Sequence, residues 1–299
     1  MNIKTGRTKP KASVWLPLVA AGALSAASIN AHALTTAYTG AGGAGMVYSS
    51  LGNITWTADG NLFQTMASSY AGGATAFANA VIAAVPGGKI NHTPNPVYDT
   101  PPNSGYYNLS SSDFNTNKGV VSWFGAQAFT TYLNSISYGG SNQWRLPTVT
   151  DTSTPGCNFA YSGTDCGYNV NTATGEMAKL YYDELSATPY YNTSGVGPQV
   201  GYNILGTGTT ADTTGSVGPF SNVHTLAYWS GTEYAPIPTA AWYFRTNFGF
   251  QDGTTKGSQV YAWAVSPGYV DAVPVPAAAW LFGPALLVLL GFKRRGHAG

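Results

Sequence analysis

Few residues in this chain have the type and spacing that chemistry requires. Asp183 and Glu184 are adjacent carboxylates. Neighbouring positions on a helix diverge in direction, so the pair is expected on a solvated helix face, not as an acid/base couple. His92 and His224 have no nucleophile motif such as G-x-S-x-G beside them. Asp151, Asp165 and Glu176 surround the cysteine segment and offer the oxygen ligands that calcium takes, but EF-hand spacing is absent. Calcium is thus the one cofactor left open, and neither catalytic residues nor another metal site is expected. Cys157 and Cys166 are the only cysteines. In an oxidising compartment they are expected to form a disulfide closing a small loop, worth about 2–3 kcal/mol by chain entropy. Zinc would need two more ligands, and His92 and His224 are far off in sequence. A redox pair normally has C-x-x-C spacing. Asn53, Asn91, Asn108 and Asn192 begin N-x-S/T sequons, which chance explains in a chain rich in Asn, Ser and Thr.

The two ends set the compartment. Lys4, Arg7, Lys9 and Lys11 precede a mainly apolar run, Val14 to Ala27, and Ala31-His32-Ala33 forms an A-x-A site. This is the layout of a secretory signal peptide over residues 1–33, with cleavage expected after Ala33. At the other end Ala277 to Phe292 is an apolar stretch that as a helix would span about 24 Å, short of the roughly 30 Å hydrocarbon core. Lys293, Arg294 and Arg295 follow it and would stay cytoplasmic. The ends hold seven of the 13 basic residues, so six basic residues face twelve acidic ones in the body, a net charge near −6. An acidic body without a basic patch argues against nucleic acid and other polyanions.

The body must supply the frame. Met46-Val47-Tyr48 and Ile54 to Thr57 read as short strands. Phe77, Ala78, Val81, Ile82 and Val85 recur at helical spacing, as do Phe124, Ala128 and Tyr132 with Phe129 and Leu133 beside them. A third helix is expected in 175–185, with Met177, Leu180, Tyr181 and Leu185 on its apolar face and Glu176 in its first turn. Residues 87–119 are rich in Pro, Asn, Ser and Gly and predict a long surface loop. In the C-terminal third Trp242, Phe244, Thr246, Phe248 and Phe250 alternate with other residues, Asp252-Gly253 reads as a turn, and Val260 to Val265 as a return strand. These elements predict a loop-rich α+β domain over residues 34–269.

Four ordered segments carry a likeness: QWRLPTVTDT, YWSGTEYA, AAWYFRTNFG and YAWAVSPG. Together with the helix before WRLPT and the opening VYSSLGNITW, they resemble the Lcl C-terminal domain family over about residues 46–268. Residues 87–119 look like an insertion in it. The resemblance implies a C-type-lectin-like, formylglycine-generating-enzyme-like fold. One member type binds glycosaminoglycans, an activity that needs positive charge and does not carry over to an acidic body. Trp144, Trp229, Trp242 and Trp263 lie in the signature segments. They could stack on sugars, but core positions are the expectation. Arg145 offers a fork for a carboxylate, with Glu233 as the expected partner in a structural ion pair. Leu146 and Thr148 complete the motif, and Pro147 fixes the chain leaving the strand.

The tail resembles the PEP-CTERM sorting signal over residues 270–299. Val273-Pro274-Val275-Pro276 matches its box, ahead of the apolar helix and the Arg cluster, with Val275 where the family usually has Glu. That resemblance implies signal peptidase and an exosortase-type membrane protease as processing partners. The protein would pass through an inner-membrane-tethered intermediate to the cell surface or extracellular matrix of a Gram-negative bacterium. The expected function is a glycan- or exopolysaccharide-associated binding or structural module. An enzyme of the formylglycine-generating type and a surface coat or adhesion protein without a ligand site are the alternatives.

Overall fold

A hydrophobic alternation in the first third folds as a small sheet. β2 (Gly45–Ser49) and β3 (Ile54–Thr57) pair antiparallel across a turn that places Asn53 at φ 50°, a conformation Asn tolerates. β1 (Tyr38–Thr39) and β15 (Val265–Pro267) complete the sheet in the order β1-β2-β3-β15, so the end of the body pairs with its beginning. This computed structural model describes residues 34, 36–151, 161–162 and 165–271, all within one unit, His32–Gly299. The expected signal peptide, Cys157, and the sorting-signal residues Val273, Pro274, Val275, Pro276, Lys293, Arg294 and Arg295 lie outside the described residues, as does the apolar stretch 277–292. Among the described residues, no helix is long and apolar enough to cross a membrane.

The larger sheet is mixed. Its order is β6 (Phe114–Asn115), β7 (Val120–Val121), β14 (Val260–Tyr261), β11 (Ala227–Glu233), β12 (Ala240–Arg245), β13 (Phe250–Thr255) and β8 (Gly167–Tyr168). Every ladder is antiparallel except β11 with β14. Three helices, α1 (Leu62–Ser69), α2 (Gly73–Ala84) and α3 (Trp123–Ser135), cover one face. Ser122 caps α3 by accepting from the Gly125 amide. The other face packs on the small sheet. Period-2 alternation explains both layers: Trp229 and Ala241 point to the helices, while Tyr228 and Phe244 meet Trp56 and Trp263. The architecture is α+β, rich in sheet, with few helices.

Four expectations are corrected. Residues 87–119 are not a bare loop: β4 (Lys89–Asn91) and β5 (Tyr106–Asn108) form a hairpin. The segment buries Ile90, His92, Asn95, Asp99 and Asp113. Its polar residues are there to satisfy backbone, as where Asp99 Oδ2 accepts from the Asn95 and Gly105 amides. The turn expected at Asp252-Gly253 lies inside β13; the chain reverses instead at Gly249, φ 63°. A Cβ on Gly253 would lie 2.9 Å from Cγ of Tyr234, so glycine there makes room for a ring that packs edge-on to Trp242. The third helix is one turn of α4 (Glu176–Ala178) running into a π-helical stretch, Lys179–Glu184. That widened turn splits the expected carboxylate pair: Asp183 is exposed, but Glu184 is buried. The fourth correction, the partner of Arg145, belongs to the site.

Sequence periodicity did not suggest α1, nor the hairpin of β9 (Thr214–Val217) and β10 (Phe220–His224).

Candidate functional site

The signature residues come together as a staple. Arg145 exchanges both backbone hydrogen bonds with Val265, which extends the small sheet beside β15. The Asn134 side chain, in the last turn of α3, donates to the Trp144 carbonyl and accepts from its amide. Ser230 Oγ and the Gly231 amide of β11 both donate to the Pro147 carbonyl. Arg145 reaches not Glu233 but Glu176, with both nitrogens of its fork 2.7 Å from the two carboxylate oxygens. Glu176 also accepts from the exposed Thr148 amide. The sequence distance of Glu176 hid this pairing: α4 begins where the strand-like WRLPT run delivers Arg145.

The four signature tryptophans are at most 2 % exposed. Each indole N–H is engaged: Trp144 to the Tyr138 carbonyl, Trp229 to Val121, Trp263 to Thr57, and Trp242 to Asp151 Oδ2. No face is free to stack on a sugar. Leu146 is likewise core. Each buried ring contributes roughly 1.5–3 kcal/mol by area. The calcium trio does not converge. Glu176 is held by Arg145 and Asp151 by Trp242 and the Ala235 amide. Among the described residues no group of three His, Cys, Asp or Glu could hold a metal ion. Cys166 is disulfide-bonded.

Glu233 instead belongs to a largely buried polar cluster. Lys256 Nζ donates to Glu233 Oε2 and to the Pro238 carbonyl, each at 2.7 Å, and lies 3.3 Å from His92 Nδ1. It also sits 5.1 Å from the centre of the Trp123 ring. His92 Nε2 is 2.8 Å from Asp99 Oδ1, but the two are not aligned for a hydrogen bond. Burial lowers the Lys256 pKa more than Glu233 restores it. Burial also acts to raise Glu233, but hydrogen bonds from Lys256 and Thr93 outweigh it, and the net direction is down. The asymmetry follows from position: the Lys256 side chain is 0 % exposed and that of Glu233 24 %. Burial first, and then the Lys256 charge, lower His92, so its ring is neutral with Nδ1 facing the ammonium. The cluster clamps the 87–119 segment to the end of the large sheet.

An open site lies where α1 meets the β9–β10 hairpin. Asn61, Gln64, Thr65, Ser68, Thr214, Asn222 and His224 line a cleft of about 320 Å³, and all of them are polar. Buried Asn61 and half-buried His224 form its floor; Thr65, Ser68, Thr214 and Asn222 are exposed on its rim. Asp59 fixes the rim: its Oδ2 accepts from Thr65 Oγ1 at 2.6 Å and Asn222 Nδ2 at 3.0 Å. Asp212 fixes the floor, with Oδ1 3.0 Å from His224 Nδ1 and Oδ2 accepting from the Tyr261 hydroxyl at 2.8 Å. The His224 ring stacks on Tyr261, centroids 4.1 Å apart. Burial, then the bond to Asp212, push the Tyr261 phenol up, so it stays a donor.

This is not a nucleophile triad. The hydroxyl hydrogen-bonded to the His224 ring, Thr214 Oγ1, lies 3.2 Å from Nε2 and 3.3 Å from Nδ1, beside the ring edge between them. With Asp212 on Nδ1, Nε2 accepts from Asn61 Nδ2 at 3.2 Å. The base nitrogen is therefore occupied by an amide. The arrangement offers amides, hydroxyls and two nearby carboxylates with no Lys or Arg in the lining, which suits a neutral polyhydroxylated ligand better than an anion. Sequence reasoning noted His224 but not this cleft, since Asn61 and His224 stand far apart in the chain; the one local signal was the Asn-Leu-Phe run that opens α1.

The sequence model of the Lcl C-terminal domain family matches residues 102–266. The match begins within the 87–119 segment, so the strands and helices before it lie outside the matched span. No curated protein and no solved structure matches the chain. The matched span is more than half of the 299 residues and contains the whole Trp144–Thr148 staple, Glu176, Glu233 and Lys256 of the clamp, and His224. The chain belongs to the Lcl C-terminal domain family, a family of cell-surface and extracellular proteins.

Proposed function

We propose that the protein is an exported surface or matrix module that binds a neutral glycan of the exopolysaccharide type in the cleft between α1 and β9–β10. The observation that carries this reading is the cleft's lining: every side chain is polar, none is Lys or Arg, and Asp59 and Asp212 pre-orient the donors and acceptors. Such a surface matches the alternating donor and acceptor demand of sugar hydroxyls, each bond adding about 0.5–1.5 kcal/mol. The reading includes delivery by signal peptidase and an exosortase-type protease, supported by the two chain ends, and a place in the C-type-lectin-like group for this α+β fold, supported by the signature segments. Binding is preferred to catalysis because the His224 base nitrogen is engaged and Cys166 carries no free thiol.

The test is a glycan array with the processed chain, repeated with exopolysaccharide from its own host. Binding to neutral glycans is expected, with Asn222→Gly weakening it about tenfold, or about 1.4 kcal/mol. Glycine accepts the positive φ of 51° at this position, so the amide is removed without straining the backbone. Absence of binding in both formats, or binding unaffected by the substitution, would refute this site.

A further inference from the structure

Glu184 is a buried carboxylate without a cation. It lies on the π-helical stretch and is 6 % exposed. Its Oε1 accepts a short hydrogen bond from Ser49 Oγ. Its Oε2 is buried and has no hydrogen-bond partner. Among the described residues no Lys or Arg forms an ion pair with it. Burial pushes its pKa up, with Ser49 and the more distant Lys179 opposing. An uncompensated charge of this kind is costly, and native structures pair it.

Glu184 is among the residues that line a cavity of about 380 Å³, together with Leu34, Thr36, Leu185, Val217 and Pro219. Leu34 is an antiparallel bridge partner of Ser49, the same residue whose hydroxyl holds Glu184. Such partners have Cα atoms about 4.5–5.5 Å apart. Leu34 and Glu184 are thus both held against Ser49, and both line the same cavity. Leu34 is also the residue that follows Ala31-His32-Ala33, the expected cleavage site.

We propose that Glu184 is the receptor for the α-ammonium group that leader cleavage creates on Leu34. The inference rests on the reading of Ala31-His32-Ala33 as the cleavage site. Hydrolysis of the Ala33–Leu34 bond consumes one water and leaves a carboxylate on Ala33 and an ammonium on Leu34. A neutral amide nitrogen with one hydrogen becomes a cation with three donors, beside the oxygen that lacks one. The cavity leaves room for the new terminus to turn toward Oε2. Processing then completes the core around β2 and the π-helical turn, and the unprocessed chain lacks that contact.

Two chains test this: the processed chain from Leu34 to Gly299 with a free amine, and the same chain preceded by Gly-Ser. The free amine is expected to raise Tm by about 4 °C or more, and Glu184→Gln is expected to abolish the difference. No difference, or an equal one in the Glu184→Gln background, overturns the proposal. Should that variant fail to fold, acylation of the native α-amine by acetic anhydride decides. A rate at least tenfold below that of the unfolded chain, equivalent to about one pKa unit, is expected; equal rates overturn it. The intact mass of the exported chain checks the cleavage site separately, and a mature terminus other than Leu34 also overturns the proposal.

Discussion

Replacing Lys256 by Met probes the clamp on the 87–119 segment. Methionine keeps an unbranched stem of similar length against Trp123 but removes the charge. Three groups lose their shortest donor at once: Glu233 Oε2, the Pro238 carbonyl and His92 Nδ1, the last two keeping only Asn95 Nδ2 at 3.5 and 3.4 Å. Glu233 keeps the Thr93 amide, which donates to both of its oxygens. Removing one partner of a fully buried pair costs about 3–5 kcal/mol. Glu233 retains some contact with water, which reduces the expected cost to about 2–4 kcal/mol. For a domain of this size that corresponds to a fall in Tm of about 5–15 °C. Urea unfolding followed by tryptophan fluorescence, with the disulfide intact, measures it. Adding Glu233→Gln completes a double-mutant cycle, in which a coupling of about 1 kcal/mol or more is expected. A cost within about 0.5 kcal/mol for Lys256→Met would show a solvated surface pair, and zero coupling would show that the two side chains act independently. Either result refutes the clamp.

His92 sets a pH dependence in the same cluster. Burial and the Lys256 charge lower its folded pKa below the ordinary 6.5. Its contribution is therefore complete above pH 6.5 and is lost as pH falls from there through the folded value, because the unfolded chain takes up the proton first. His92→Gln is expected to flatten that acid-side loss, read as the urea midpoint at pH 7.5 and pH 5; an unchanged slope would assign the loss to other groups. For the tail, replacing Pro274 and Pro276 is expected to leave uncleaved protein in the inner membrane on cell fractionation, and normal release would refute the sorting signal.

Elements built from local pattern could be read before the fold was seen. The spacing of Phe77, Val81 and Phe129 marks α2 and α3 because a helix repeats its faces every few residues. The alternation of β2, β3 and β12 marks strands for the corresponding reason. The tryptophans of the signature segments are core because rings of that size are most useful when buried and hydrogen-bonded at one end. The charge of the body and the layout of both ends are likewise properties of the chain itself.

Pairing across the chain was decided only in three dimensions. Arg145 could have met any carboxylate, and the bridge to Val265 together with the start of α4 selects Glu176 over Glu233. Asp252-Gly253 has the composition of a turn, but the ring of Tyr234 requires glycine inside a strand. The 87–119 segment is loop-like in composition because its polar side chains satisfy backbone groups and, through His92, a buried lysine, and composition does not register that use. Glu184 reads as a surface residue until the π-helical turn rotates it under Ser49. The cleft exists because the residues just before α1 and the β9–β10 hairpin, separated by about half the chain, are joined by the parallel bridge Asp59–Ser221 and by the Asn222 amide on Asp59. Periodicity and capping are local and can be read residue by residue; which charge meets which, and which polar groups share a cavity, depends on sheet order, which no local pattern encodes.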